Sequence, residues 1–348
     1  MRMIRHALIG TTSLAMAAAM SSVATADTID GPQVHWDYSA WGSERAFTAG
    51  IERIAEFIEE RTGGNFTMEI HYGEALSSST ENLDSIQIGA FEAAMMCASY
   101  HPGKNPVMNG LDLPFLPIPD IDTKIAVTEA YFEHPAQVEE MERWNAMVLM
   151  DNLLPKYEPI GRGDPPESIE DWEGIRIRAV GGLADAFREL GAVPTSLPAP
   201  ELYTSMDRGV IDAAAVSYTY MYRAYQLDEI ADWYTTNMNP GSIVCPTIIS
   251  LDAWNALPPE YQDLIYEARG EAYEALREAY VGADEELIPQ LEERGVVAIS
   301  YDDDEVEAIR ERAAEPIWEE WMAEASADGI PAEELLELIL ETARAAQQ

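Results

Sequence analysis

Two arginines, Arg176 and Arg178, alternate with Ile175, Ile177 and Ala179, so a strand through this segment presents both guanidinium groups on one face. A guanidinium is always charged and offers paired N–H donors in one plane, which match the two oxygens of a carboxylate. A surface strand with two solvated arginines has the same pattern, and spacing alone leaves both readings open. Aromatic residues form further clusters: Trp36, Tyr38 and Trp41 at the end of an N-terminal strand, Tyr100 and His101 after a strand of small residues, and Tyr218, Tyr220 and Tyr222 after a second such strand. Rings of this kind pack in cores, or line a pocket around an apolar or cationic group. Glu44, Glu74 and Asp37 lie near the first cluster, so an aromatic box holding a small amine or zwitterion is the alternative to a carboxylate bound by arginine.

Catalytic signatures are missing from the chain. It contains no G-x-S-x-G elbow, H-E-x-x-H pair or phosphate loop, and Asp302-Asp303-Asp304 lacks the spaced ligands and glycine of a calcium loop. His35, His71, His101 and His134 are scattered, and His71 alternates with Ile70 onto a solvent face. Cys97 and Cys245 are the only cysteines; in an oxidising compartment they either pair or stay apart as buried thiols. The expectation is a protein that is not an enzyme and has no metal site or cofactor.

The first residues carry Arg2 and Arg5, then an apolar, alanine-rich stretch from Ala7 to Met20, then Ala24-Thr25-Ala26. This pattern predicts a cleaved secretory leader over residues 1–26, and its apolar stretch is shorter than the roughly 20 residues of a spanning helix. Cleavage removes two arginines and no acid, which takes the formal charge from −42 to −44. Nucleic acid is thereby excluded as a natural partner, because phosphate binding requires the opposite sign. Such acidity suits a salty exterior, where ions screen self-repulsion.

The elements that must position these groups show in the periodicity. Val34, Trp36 and Tyr38 alternate as a strand; Ala46 to Ile58 follows helical spacing up to Thr62-Gly63-Gly64; Phe66 to Tyr72 alternates again. That is a βαβ unit, the building block of parallel sheets with crevices at their strand ends. Glu81 to Ala94 and Glu201 to Ala214 then align 120 positions apart, sharing Glu, Ser, Gly and both alanines. Each copy reads as a helix, a left-handed glycine and a small-residue strand, which implies two related α/β lobes and a cleft between them. A helix opening at Pro258-Pro259 meets no glycine or proline between Ala283 and Ile288, so it is long enough to brace both lobes.

The order and spacing of several motifs resemble the solute receptors of TRAP transporters, the DctP-like periplasmic binding proteins, over roughly Gln33 to Ala325. They are Thr62-Gly63-Gly64 before a strand; Gly73, Glu81-Asn82-Leu83 and Gly89; Leu113-Pro114-Phe115-Leu116; Asp171 to Arg178; Glu201-Leu202-Tyr203 with Gly209 and Asp212; and Leu257-Pro258-Pro259-Glu260. The resemblance implies a two-lobed periplasmic binding protein fold of α/β class, with crossing strands, a long bridging helix and a central ligand cleft. On this reading lobe I comprises 27–153 plus 244–284, and lobe II 154–243 plus 285–348. Arg178 stands where the family's arginine pairs with a substrate carboxylate, which separates it from Arg176. Ala213 and Val216 stand where the family often has Gly and a ligand-touching Asn. The implied site is Arg178 with Trp36, Tyr38, Trp41, Glu74, Tyr100, Tyr218 and Tyr220. The implied partners are a small-molecule solute, an organic acid first, and the membrane permease subunits of a TRAP transporter in the periplasm; a receptor for an ATP-driven importer is the rival.

Overall fold

The computed structural model describes residues 28–101 and 103–348, and the expected leader, residues 1–26, lies outside them. β1 (Val34–Ser39), α1 (Ala49–Thr62) and β2 (Phe66–His71) form the expected βαβ unit, with the strands parallel and in register from Val34 opposite Phe66 to Ser39 opposite His71. α1 buries Ile51, Ile54, Phe57 and Ile58 and ends at Gly63, whose φ of 61° no branched side chain adopts at low cost. The chain continues through α2 (Asn82–Gln87), β3 (Ala93–Met95), α3 (Ile121–Phe132), α4 (Pro135–Glu142) and β4 (Ala146–Asp151). It then crosses to β5 (Tyr157–Gly161), β6 (Arg176–Arg178), α5 (Gly182–Glu189), β7 (Val193–Thr195), α6 (Leu202–Asp207), β8 (Ala213–Ser217), α7 (Tyr220–Ala224) and β9 (Trp233–Thr235). A second crossing leads to β10 (Pro246–Ser250), α8 (Leu251–Ala256), α9 (Pro259–Arg294), β11 (Val297–Ile299), α10 (Asp303–Ala313), α11 (Glu315–Ala327) and α12 (Ala332–Ala346).

Two sheets result, ordered β2-β1-β3-β10-β4 and β11-β9-β5-β8-β6-β7. Taken from its other end, the second runs β7-β6-β8-β5-β9 and matches the first strand for strand, with the same parallel and antiparallel neighbours. The sequence repeat is the centre of this symmetry: α2 and β3 answer α6 and β8, with Gly89 (φ 68°) and Gly209 (φ 66°) between them. Its paired acids do the same work in each copy, because Glu92 accepts the Asp37 N–H at 2.9 Å and Asp212 the Arg176 N–H at 3.0 Å. In each sheet the antiparallel strand beside the repeat, β10 or β5, is delivered by chain arriving from the other lobe.

α9 is the long helix expected, a single run that passes Pro289 and stops at the left-handed Gly295. Near its start Tyr261 stacks on Phe66 at 5.3 Å; further along, Tyr280 meets Tyr220 at 5.2 Å and Asp284 accepts from Thr219. It therefore touches both lobes. α12 departs from the sequence reading, which put all of 285–348 with the second lobe: it packs on α3, and its Leu335, Ile339 and Ala343 enter the core that contains Leu83, Ile86 and Ile248.

The crossings are held by buried polar groups. Lys124 on α3 donates to Leu154 O, Ser242 Oγ and Ile243 O, with Asp151 at 3.5 Å. Asp112 accepts from Val244 N at 2.7 Å, while Gly181 and Gly182 of the other lobe crowd it; a Cβ on Gly182 would lie 2.7 Å from Asp112 O. Cys97 and Cys245, whose pairing the sequence left open, are joined as a disulfide between the end of β3 and the start of β10. Closing a span of 148 residues, this bond constrains the unfolded chain by about 4–5 kcal/mol in the chain-entropy model. Its replacement by two serines should lower the unfolding free energy by a large part of that amount, measured by denaturant titration. Burial pushes Asp112 up to about 7, with Lys124 working against it. Because its folded value lies above the unfolded one, its contribution is full at acid pH and is lost as pH rises towards 7. In Asp112→Asn the fall of stability between pH 4 and 7 should be shallower by about 1.4 kcal/mol per pH unit at most; an unchanged slope would show that Asp112 ionises freely.

Candidate functional site

Arg178 ends β6 between β7 and β8 on the same face as Arg176, but at the strand end it meets the other lobe through Tyr100 and is fully buried, whereas Arg176 is exposed. Its Nε donates to Leu197 O at 2.9 Å, one terminal nitrogen to Ala215 O at 3.3 Å and the other to Tyr100 Oη at 3.3 Å. Every acceptor is neutral. One N–H remains on each terminal nitrogen, the paired arrangement that meets a carboxylate. Arg176 is instead a surface residue, bound through its Nε and one terminal nitrogen by Asp212.

Tyr100 belongs to the first lobe and reaches into the second, accepting from Arg178 and from the Ala199 N–H at 3.0 Å. Trp41 lies beside it with ring centroids 5.8 Å apart. Past Trp41 the turn carries Arg45, whose terminal nitrogen donates to Trp41 O and Ser43 O at 2.7 and 2.6 Å. Burial works against the charge of Arg45, and the phenolic oxygens of Tyr225, Tyr220 and Tyr280 outweigh it, so its pKa is raised. Tyr225 feels both arginines. Tyr220 stacks on Phe47 at 6.3 Å and meets Tyr280, and the buried Tyr157 is held above its usual range by burial with Arg178 opposing. Neither Arg45 nor Arg178 has a carboxylate partner among the described residues, whereas Arg53, Arg176 and Arg277 each pair with acids. The cleft thus presents two guanidinium groups, one from each lobe, set in phenol and indole rings. Beside it, past Ser99, Gly181 and Ser196, a cavity of about 660 Å³ leads towards Trp321 on α11.

Of the residues expected from sequence, Arg178, Trp41, Tyr100 and Tyr220 come together. Tyr38 lies below them, bonded to Thr247 Oγ1 at 2.9 Å and within the field of Arg45. Three others lie elsewhere. Trp36 packs edge-on against Phe66 in the first lobe's core, because β1 alternation sends it under the helices. Glu74 is an exposed loop residue that accepts the Ser79 N–H. Tyr218 turns outward under the Lys156 ammonium, among Tyr222 and Tyr234. With Glu74 and Glu44 exposed and Asp37 bonded to His71 on the outer sheet face, the acids that an amine box requires are absent from this lining. Val216 is wholly buried in β8 opposite Glu158, so that position presents no polar group. Arg45, Tyr157, Tyr225 and Tyr280 were missed; for Tyr280 the signal was its helical spacing from Tyr273 and Leu276.

A family model described as bacterial extracellular solute-binding protein, family 7 (DctP) matches residues 39–325. The monocarboxylate 2-oxoacid-binding periplasmic protein of Nostoc sp. is 26% identical over 84% of each chain, and the C4-dicarboxylate-binding periplasmic protein DctP of Rhodobacter capsulatus is 22% identical over 95% of this chain and 97% of its own. Among solved structures, a TRAP periplasmic solute binding protein from Desulfovibrio salexigens with bound orotic acid covers 90% of this chain and 99% of its own at 21% identity and TM-score 0.79. A marine metagenome TRAP solute binding protein specific for aromatic acid ligands covers 91% and 100% at 16% identity and TM-score 0.80. The strand exchange, the bridging helix and the matched span agree: this chain belongs to the DctP family of bacterial extracellular solute-binding proteins.

Proposed function

We infer that this chain is the periplasmic receptor of a TRAP-type transporter, capturing a small organic acid between its lobes and delivering it to the membrane permease. The observation that carries this reading is the buried Arg178, hydrogen-bonded only to neutral oxygens and aimed at the junction of the lobes. Leaving a guanidinium buried without an anion is costly, and a carboxylate neutralises it with two parallel hydrogen bonds. Arg45 supplies a second pole on the opposite lobe, and the surrounding rings suit a flat or apolar body between the poles. The relatives' named ligands, 2-oxoacids, C4-dicarboxylates, orotic acid and aromatic acids, all bear a carboxylate. The leader, cleaved before Asp27, places the receptor outside the cytoplasmic membrane, and the lobes divide near 153 and 244 with α12 returned to the first.

A thermal-shift series of organic acids and amines tests the class, because a ligand that binds only the folded state raises its melting temperature with concentration. Acids should raise it and amines should not; the reverse would sink the carboxylate reading. For the acid found, Arg178→Ala should weaken binding roughly a hundredfold or more, about 3 kcal/mol, and Arg178→Lys roughly tenfold, since lysine keeps the charge but loses the fork. Unchanged affinity in both variants removes Arg178 from the site. Tyr100→Phe deletes the oxygen that joins Arg178 to the first lobe and should weaken binding about tenfold, through faster release, read by stopped-flow displacement.

A further inference from the structure

On the outer face of the first sheet, strand pairing brings together side chains that the sequence scatters. β1 and β2 are parallel neighbours at the sheet edge, with His35 opposite Thr67, Asp37 opposite Glu69 and Ser39 opposite His71. The alternation that buries Trp36 and Tyr38 points His35, Asp37, Glu69 and His71 the other way. One ligand atom each from His35, Asp37 and Glu69 lies within 4.8 Å of the others. His71 joins them, its Nε2 2.6 Å from Asp37 Oδ1, while His35 Nε2 stands 3.8 Å from that same oxygen.

We propose that His35, Asp37, Glu69 and His71 bind one divalent transition-metal ion of the zinc class. Two imidazoles and two carboxylates make a mixed nitrogen and oxygen set, which suits zinc and cobalt; calcium and magnesium favour oxygen alone. The orientation of His35 supports the assignment. Its Nδ1 is occupied by Thr67 Oγ1 at 2.9 Å, which fixes the ring and leaves Nε2 facing the carboxylates, the arrangement in which ligating histidines are held by a partner on the other nitrogen. Asp37 is tethered as well, through its backbone N–H on Glu92. Tetrahedral ligation at about 2.0–2.1 Å sets the ligand atoms about 3.3 Å apart. That lies inside the 4.8 Å spread of the His35, Asp37 and Glu69 atoms; His71 enters the set through its contact with Asp37, and His35 and Asp37 are exposed enough to rotate. The ion would clip β1 to β2 directly upstream of the turn that carries Trp41 and Arg45.

Metal-free protein titrated with Co²⁺ should develop the visible d–d absorption of a four-coordinate site at one equivalent. Zn²⁺ should abolish that absorption and raise the melting temperature, with millimolar Mg²⁺ present throughout. His35→Ala and His71→Ala should each weaken uptake roughly thirtyfold or more, while both variants keep the metal-free melting temperature and the organic-acid affinity of the parent. Equal zinc uptake by the parent and the double histidine variant, or displacement by millimolar Mg²⁺, would overturn the site and assign the binding to the acidic surface at large.

Discussion

Arg178 imposes the main electrostatic constraint on this molecule. A full positive charge is enclosed in protein and met by two backbone carbonyls and one phenol, with no carboxylate partner among the described residues to offset it. Such a group is tolerated because charge-assisted hydrogen bonds recover part of its lost hydration, and because β8 and the segment just after β7 hold those carbonyls in place. Its position also explains the contact between lobes. Tyr100 leaves the first lobe to accept from the guanidinium and from the Ala199 N–H, so this charge also joins the halves.

The lobes are positioned by a duplicated topology and by groups that fasten its crossings. Lys124 holds carbonyls from both crossing segments, Asp112 presses against the glycines that open α5, and the disulfide ties the two central strands of the first sheet. α9 runs along both halves and contributes Tyr280 to the cleft, so one helix braces the frame and lines the site.

Much of this was legible in the sequence, for identifiable reasons. The βαβ unit, the two helix, glycine and strand repeats and the long helix all rest on periodicity and local turn chemistry, which act within a few residues and survive in tertiary context. Arg178 was found because a motif surrounds it. Arg45 has no motif, and its role depends on tyrosines far along the chain that only the fold brings opposite it. Trp36 and Trp41 show where local reasoning fails: both are tryptophans of one cluster, but the first lies within β1 and follows its alternation into the core, whereas the second lies past the strand end and is free to face the cleft. Tyr218 and Tyr220 both follow β8, but Tyr220 opens α7 and packs inward on Tyr280, whereas Tyr218 sits under Lys156. The destination of α12 was hidden because an amphipathic helix announces that it needs a partner but not which one.

The exchange of strands between the halves bears on the order in which the chain becomes a protein. The first sheet lacks an inner strand until Pro246–Ser250 is available, and its flank stays uncovered until Ala332–Ala346 arrives. A chain emerging amino end first therefore carries an unfinished hydrophobic layer until both of these late segments have been made, and the complete first lobe waits on residues nearly a hundred positions or more beyond its own early strands.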